Sequence, residues 1–124
     1  PHPGEASRLL GLSTEQIQRD RFTAVKSLQD LLGGTVVLKG NGTIIFDGNY
    51  FMICTGGNPG MATAGMGDVL AGVIASFLAQ DFEMHFAASL GVSLHSAAAD
   101  KISVEGMRGI IASDLMAPIR KLLG

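Results

Sequence analysis

The sequence lacks most of the features that assign a chain by composition. Among 124 residues it has one cysteine, Cys54, one tyrosine and no tryptophan. A lone cysteine cannot build a disulfide framework, so the fold must close on its own core, and a reducing compartment, the cytoplasm, is expected. Cys54 itself reads as a small buried hydrophobe. Charged residues are only 16% of the chain and sum to a formal charge of -2, with nine Lys and Arg scattered along it. That leaves no basic footprint, so nucleic acid is not an expected partner. The longest uncharged runs, 69–80 and 86–99, are shorter than the roughly 18 apolar residues of a membrane span, so a membrane is not expected either. Three histidines without ligand spacing predict no metal site. Glycine is the exception to this scarcity: 17 residues, about twice ordinary usage, imply tight turns and close backbone approaches. With 47% hydrophobic residues the chain can bury one modest core, and two independent domains are not expected.

Periodicity and punctuation place the elements. A short helix over 5–10 is closed by Gly11. Ser13 and Gln16 form a capping box, and Ile17, Phe22, Val25, Leu28, Leu31 and Leu32 recur at helical spacing, predicting one helix from about 14 to the glycines at 33 and 34. Val36, Val37 and Leu38 predict a short buried strand, residues 44–46 a second and 50–53 a third, with Asp47-Gly48-Asn49 as the hairpin turn. Helices are predicted over about 63–79 and 83–102. The second is rich in Ala and Ser, and His95 among such small neighbours reads as a packed core residue. Met61, Met66, Met107 and Met116 read as gap fillers. A last helix reaches about 122, capped by Ser113 or Asp114, with Pro118 obscuring its first turn. This is α/β in class but holds only part of a sheet, and the strand 36–38 is predicted to have a bare edge.

The stretch Gly56-Gly57-Asn58-Pro59-Gly60-Met61-Ala62-Thr63-Ala64-Gly65-Met66-Gly67-Asp68 organises the rest. Glycines allow sharp turns and let backbone N–H groups approach a ligand. The first N–H groups of the following helix have no partner inside it, and the helix dipole is positive there, so a phosphate is the expected occupant. Asp68 at that junction would repel a phosphate unless it had a task, and the task that fits is to take a proton from a hydroxyl attacking phosphorus. Lys39-Gly40-Asn41-Gly42-Thr43 follows a strand and can present amides and a hydroxyl to a nucleotide, as loops at the carboxyl ends of parallel strands do. Alone, it would read as an ordinary turn. Neither stretch is a Walker loop or a dinucleotide fingerprint.

Taken together, Pro1-His2-Pro3-Gly4-Glu5, Lys39-Gly40-Asn41-Gly42-Thr43, the run Gly57 to Gly72 and Leu94-His95-Ser96-Ala97-Ala98-Ala99-Asp100 resemble the ADP/ATP-dependent NAD(P)H-hydrate dehydratase family. This is the carbohydrate-kinase-like module of the ribokinase superfamily. The resemblance covers nearly the whole chain. It departs at Ala64, where the pattern has glycine, at Asn41, where alanine is common, and in length, since the family module is about twice as long.

The resemblance implies a three-layer ribokinase-like fold, of which residues 1–124 would be the C-terminal half: one partial domain with short strands, a hairpin and then three helices. It further implies that His2 and Asp68 bind the hydrated nicotinamide, with Asp68 as catalytic base. Lys39, Gly40, Asn41, Gly42 and Thr43, with Asn58, Gly60, Gly65, Met66 and Gly67, would hold the nucleotide and its phosphates. Glu5, one turn from His2, could orient that ring, or simply serve as a helix-start charge. ADP or ATP would donate the phosphoryl group and bring Mg²⁺ with it, and a fused or separate NAD(P)H-hydrate epimerase would be a partner. Self-association stays open. The implied reaction is dehydration of NAD(P)H hydrate back to NAD(P)H. The alternatives are a ribokinase-fold kinase that stops at an alcohol phosphate, and a non-catalytic remnant.

Overall fold

The computed structural model describes residues 1–124, and its internal contacts divide them into two compact units, Pro1–Thr55 and Gly56–Gly124. The first unit holds three helices, α1 (Pro3–Leu10), α2 (Thr14–Arg19) and α3 (Arg21–Leu32), and three strands, β1 (Val36–Leu38), β2 (Thr43–Phe46) and β3 (Phe51–Cys54). Gly11 ends α1 in the left-handed region, and Ser13 and Gln16 close the expected capping box at α2. The single helix predicted from 14 onward is instead two. The chain breaks at Asp20, whose backbone leaves the helical region and whose carboxylate accepts from the Thr23 N–H at 3.0 Å and the Thr23 hydroxyl at 2.7 Å. An Asp with a donor three residues on caps a new helix more favourably than it continues an old one. The new helix begins at Arg21.

The strands form an antiparallel sheet in the order β1-β2-β3, with Leu38 opposite Ile44 and Ile44 opposite Ile53. Strand side chains alternate between faces, so Val36, Leu38, Ile44 and Phe46 share one. That face meets Ala24, Val25 and Leu28 of α3, with Ala6 and Ile17 completing the core. Leu28 and Leu38 are fully buried, each stabilising the unit by about 1.5–3 kcal/mol. At the turn end of the hairpin, Phe51 stacks on Phe46 at 4.2 Å and meets Phe22 edge-on at 5.4 Å. No strand pairs with the outer edge of β1, as expected. Just beyond it the Lys39 N–H donates to the Pro1 carbonyl at 2.8 Å. Lys39 thus follows the end of a strand, but the neighbouring strand runs antiparallel, which corrects the parallel-strand premise.

The second unit opens with a glycine loop and a 3-10 turn, Pro59–Met61, and continues with α4 (Met66–Leu78) and α5 (Met84–Ser103). A second 3-10 turn, Ala112–Leu115, leads into α6 (Met116–Leu123). Helix α4 begins three residues later than predicted, because Gly65 stands at φ 83° and turns the chain into it. A side chain at Gly91 would lie 2.5 Å from Ile74 Cγ1, so glycine is what allows α4 and α5 to cross closely. Below the crossing, Met66, Phe77, Leu94, Ala98, Leu115 and Ile119 form the core. His95 is buried there. Ser113 and Asp114 do not start α6. They lie within the second 3-10 turn, where the Asp114 carboxylate accepts the Ile111 N–H at 2.9 Å, and α6 continues directly from that turn. No helix is long and apolar enough to cross a membrane.

Candidate active site

In the second unit the loop over 56–65 is held from α5 by one carboxylate. Asp100 accepts the Gly57 N–H at 2.8 Å and the Asn58 side-chain amide at 2.9 Å. Asn58 in turn accepts the Gly60 N–H at 3.0 Å through its side-chain oxygen. Bonds to an ionised acceptor are roughly twice as strong as neutral ones, so this chain of three sets the loop's shape. Gly60 has no room for a side chain: a Cβ there would lie 2.9 Å from the Met107 carbonyl oxygen. Asn58 and Gly60, both predicted to bind nucleotide, also brace the loop from within.

The loop delivers the start of α4, and that start differs from those of α1, α2, α3 and α5. Side chains of His2, Ser13, Asp20 and Glu83 cap α1, α2, α3 and α5. Gly65 has no side chain and caps nothing, so the first amides of α4, at Met66, Gly67 and Asp68, are not closed off by a cap. The Met66 side chain is buried in the core, and only its amide belongs to this opening. Asp68 is exposed on the first turn. Two other first-turn acids are engaged: Glu5 accepts the His2 N–H and Asp114 accepts the Ile111 N–H. The Asp68 carboxylate makes no hydrogen bond or ion pair. A favourable dipole interaction of about 0.3–1 kcal/mol would explain an acid at this position, but not why the amides beside it are left uncapped. An open helix start with an uncommitted carboxylate can receive an anion and accept a proton.

In the first unit His2 caps α1. Its Nδ1 accepts from the Gly4 and Glu5 amides at 3.1 and 3.2 Å, and Glu5 returns the bond by accepting the His2 N–H at 2.7 Å. With Nδ1 accepting, the ring proton belongs on Nε2, which faces Glu5 Oε1 at 3.5 Å. Glu5 therefore serves both the helix start and the ring. Its carboxyl is held below the usual glutamate range, chiefly by the His2 backbone bond and further by Lys39, whose Nζ lies 3.9 Å away.

The turn that follows Lys39 is organised by a residue that sequence reasoning missed. The Arg21 guanidinium donates to the carbonyls of Asn41 at 2.6 Å, Gly42 at 2.9 Å, Leu38 at 3.1 Å and Lys39 at 3.4 Å. The Thr43 hydroxyl donates to the remaining carbonyl, that of Gly40, at 3.2 Å. Partial burial lowers the Arg21 pKa somewhat from its usual value, but an arginine stays charged. Asp100 was missed likewise. The available signals were faint: an arginine directly after a capping Asp, and a single acid ending a run of small buried residues.

The family model described as NAD(P)H-hydrate dehydratase, of carbohydrate-kinase type, matches residues 1–121. The chain is 53% identical over 124 residues to the bifunctional NAD(P)H-hydrate repair enzyme Nnr of Vibrio cholerae, covering 99% of this chain and 25% of that protein. It is 43% identical over 125 residues to the ADP-dependent (S)-NAD(P)H-hydrate dehydratase of Neisseria meningitidis, covering 98% of this chain and 42% of the relative. Among solved structures, the ADP/ATP-dependent NAD(P)H-hydrate dehydratase of Bacillus subtilis, co-crystallised with ATP/Mg²⁺, superposes with a TM-score of 0.90 at 28% identity, over 99% of this chain and 45% of that one. The chain thus spans between a quarter and a half of these proteins. A match that runs almost from end to end, in sequence and in ribokinase-like fold, places this chain in the NAD(P)H-hydrate dehydratase family.

Proposed function

We propose that this chain serves nicotinamide-nucleotide repair, the ADP- or ATP-dependent dehydration of NAD(P)H hydrate to NAD(P)H, and that residues 1–124 are part of one ribokinase-like domain. The observation that carries the reading is the uncapped start of α4 with Asp68 uncommitted beside it. The names of the Neisseria and Bacillus relatives support a nucleotide as phosphoryl donor.

In the second unit, the Gly65, Met66 and Gly67 amides receive the phosphates, and Asn58 and Gly60 keep the loop that positions them. Asp68 takes the proton from the ring hydroxyl as its oxygen attacks the terminal phosphorus and the nucleotide departs with one phosphate fewer. Hydroxide leaves a carbon poorly and phosphate leaves well. The ring nitrogen expels the phosphate, and loss of a proton from the adjacent carbon restores the double bond. In the first unit, His2 lines the hydrated-nicotinamide site, and Lys39, Gly40, Asn41, Gly42 and Thr43 hold the adenine nucleotide. The open amides and free carboxylate suit a nucleotide that arrives with Mg²⁺, which would offset charge on the transferred group. An epimerase acting on the same hydrate fits as a fused or separate partner, since the Vibrio relative is named bifunctional. A chain with one cysteine, Cys54, suits the cytoplasm.

The test is to incubate the protein with NADH hydrate and ADP or ATP. Return of NADH absorbance with release of inorganic phosphate is expected, and the faster donor settles the nucleotide. A stable phosphate ester with no NADH would mean an alcohol kinase instead. Neither product in the presence of both donors would end the proposal.

A further inference from the structure

The four carbonyls gathered by Arg21 have a consequence for the opposite side of the 39–43 turn. All peptide bonds in the chain are trans, and across a trans peptide the C=O of one residue and the N–H of the next point in opposite directions. Drawing the Lys39 and Asn41 carbonyls onto the guanidinium therefore turns the Gly40 and Gly42 amides away from it. The same operation on Leu38 and Gly42 turns out the Lys39 and Thr43 amides. The Lys39 N–H, however, is engaged by the Pro1 carbonyl, and Thr43 belongs to the β2 ladder.

The geometry points to Arg21 as a positioning residue: it fixes the turn so that the Gly40 and Gly42 amides stand outward as a pair of donors to acceptor atoms of the bound nucleotide. This rests on the nucleotide role proposed above for the turn.

Two further details fit. A Cβ on Gly40, at φ 147°, would lie 2.9 Å from Arg21 Nη2, so the residue must be small for the fork to seat. Lysine could not replace the fork, because one point charge cannot address four carbonyls spread along a turn. Arg21 also stands at the first position of α3, where the Asp20 cap fixes its backbone. The helix break is thus part of the same device.

The experiment compares the wild-type protein with Arg21→Met and Arg21→Lys. Calorimetry with ADP and ATP, NMR order parameters of the Gly40 and Gly42 amides, and separate KM values for nucleotide and hydrate are the readouts. Arg21→Met should weaken nucleotide binding at least tenfold and drop the order parameters of both amides from the rigid range, about 0.85, to below about 0.6, with the KM for the hydrate within twofold. Arg21→Lys should fall between the two. Should Arg21→Met not fold, Arg21→Lys, which keeps the charge and the apolar stem, decides by the same readouts. Lower order with unchanged nucleotide affinity would make Arg21 a structural clamp only and overturn the inference, as would no change in the order of the two amides. A wild-type protein that binds neither nucleotide would instead overturn the nucleotide role of the turn, and the inference with it.

Discussion

Each unit contains one glycine-rich turn held by one charged side chain from a distant helix, and the two anchors have opposite signs. In the first unit Arg21 gathers carbonyls along 38–42. In the second, Asp100 gathers the Gly57 N–H and the Asn58 amide. Glycine makes a turn permissible but does not select its conformation, because it loses more conformational freedom on ordering than any other residue. The anchor makes the selection, and its charge decides which backbone groups face inward. A cation takes carbonyls and leaves amides for a ligand. An anion takes amides, and the amides left open in the second unit are those at the uncapped start of α4.

The sharpest way to break the comparison is to set Asp68 against Asp100. Asp68→Asn should lower turnover by about 10²- to 10⁴-fold, the usual contribution of a general base, with nucleotide affinity and unfolding midpoint nearly unchanged. A rate near wild type would remove Asp68 from the chemistry. Asp100→Ala should do the reverse in kind. It strands two partly buried donors and should cost about 1–3 kcal/mol in urea unfolding. If stability were unaffected, the carboxylate would not be the anchor of its loop.

The same contrast can be sharpened at Gly60, where the obstacle to a side chain is backbone. Gly60→Ala pushes on the Met107 carbonyl and should destabilise by about 1–3 kcal/mol, while Gly72→Ala, with open space around it, should not destabilise. Equal effects would show that the loop yields.

The smallest effect belongs to the first unit and to pH. Glu5 is held below its ordinary value of 4.5, so its contribution is complete above that value and is lost as pH falls through the depressed folded value. Its side chain is 42% exposed, and screening keeps the contribution under about 1 kcal/mol. A Glu5→Gln variant should accordingly lose less stability than wild type on acidification below about pH 4.5, the usual glutamate range. Parallel curves would show that the His2 and Lys39 contacts contribute nothing.

Much of the fold follows from local rules. The capping box of Ser13 and Gln16, the Gly11 stop, the Asp47 hairpin turn and the alternating strands are all set by neighbours a few residues apart. The misreadings were local as well. The apolar spacing runs straight through Asp20 and predicts one helix, although the donors at Thr23 favour a new start. Ser113 or Asp114 is the cap expected for the last helix, but a 3-10 turn intervenes and takes up Asp114. For the candidate site, the glycine stretch and Asp68 were legible because their chemistry is contiguous.

What the sequence by itself determined is therefore the inventory: which residues can turn, which can cap, where an anion could be met and which carboxylate stands beside it. What only the tertiary structure decided is which way those turns face. Arg21 reaches its carbonyls across 17 to 21 positions and Asp100 its amides across 42 and 43. A hydrogen bond spanning such a separation leaves no periodicity or spacing in the chain. It exists only once helix and turn have been packed together, and the packing then gives each permissive glycine its single conformation.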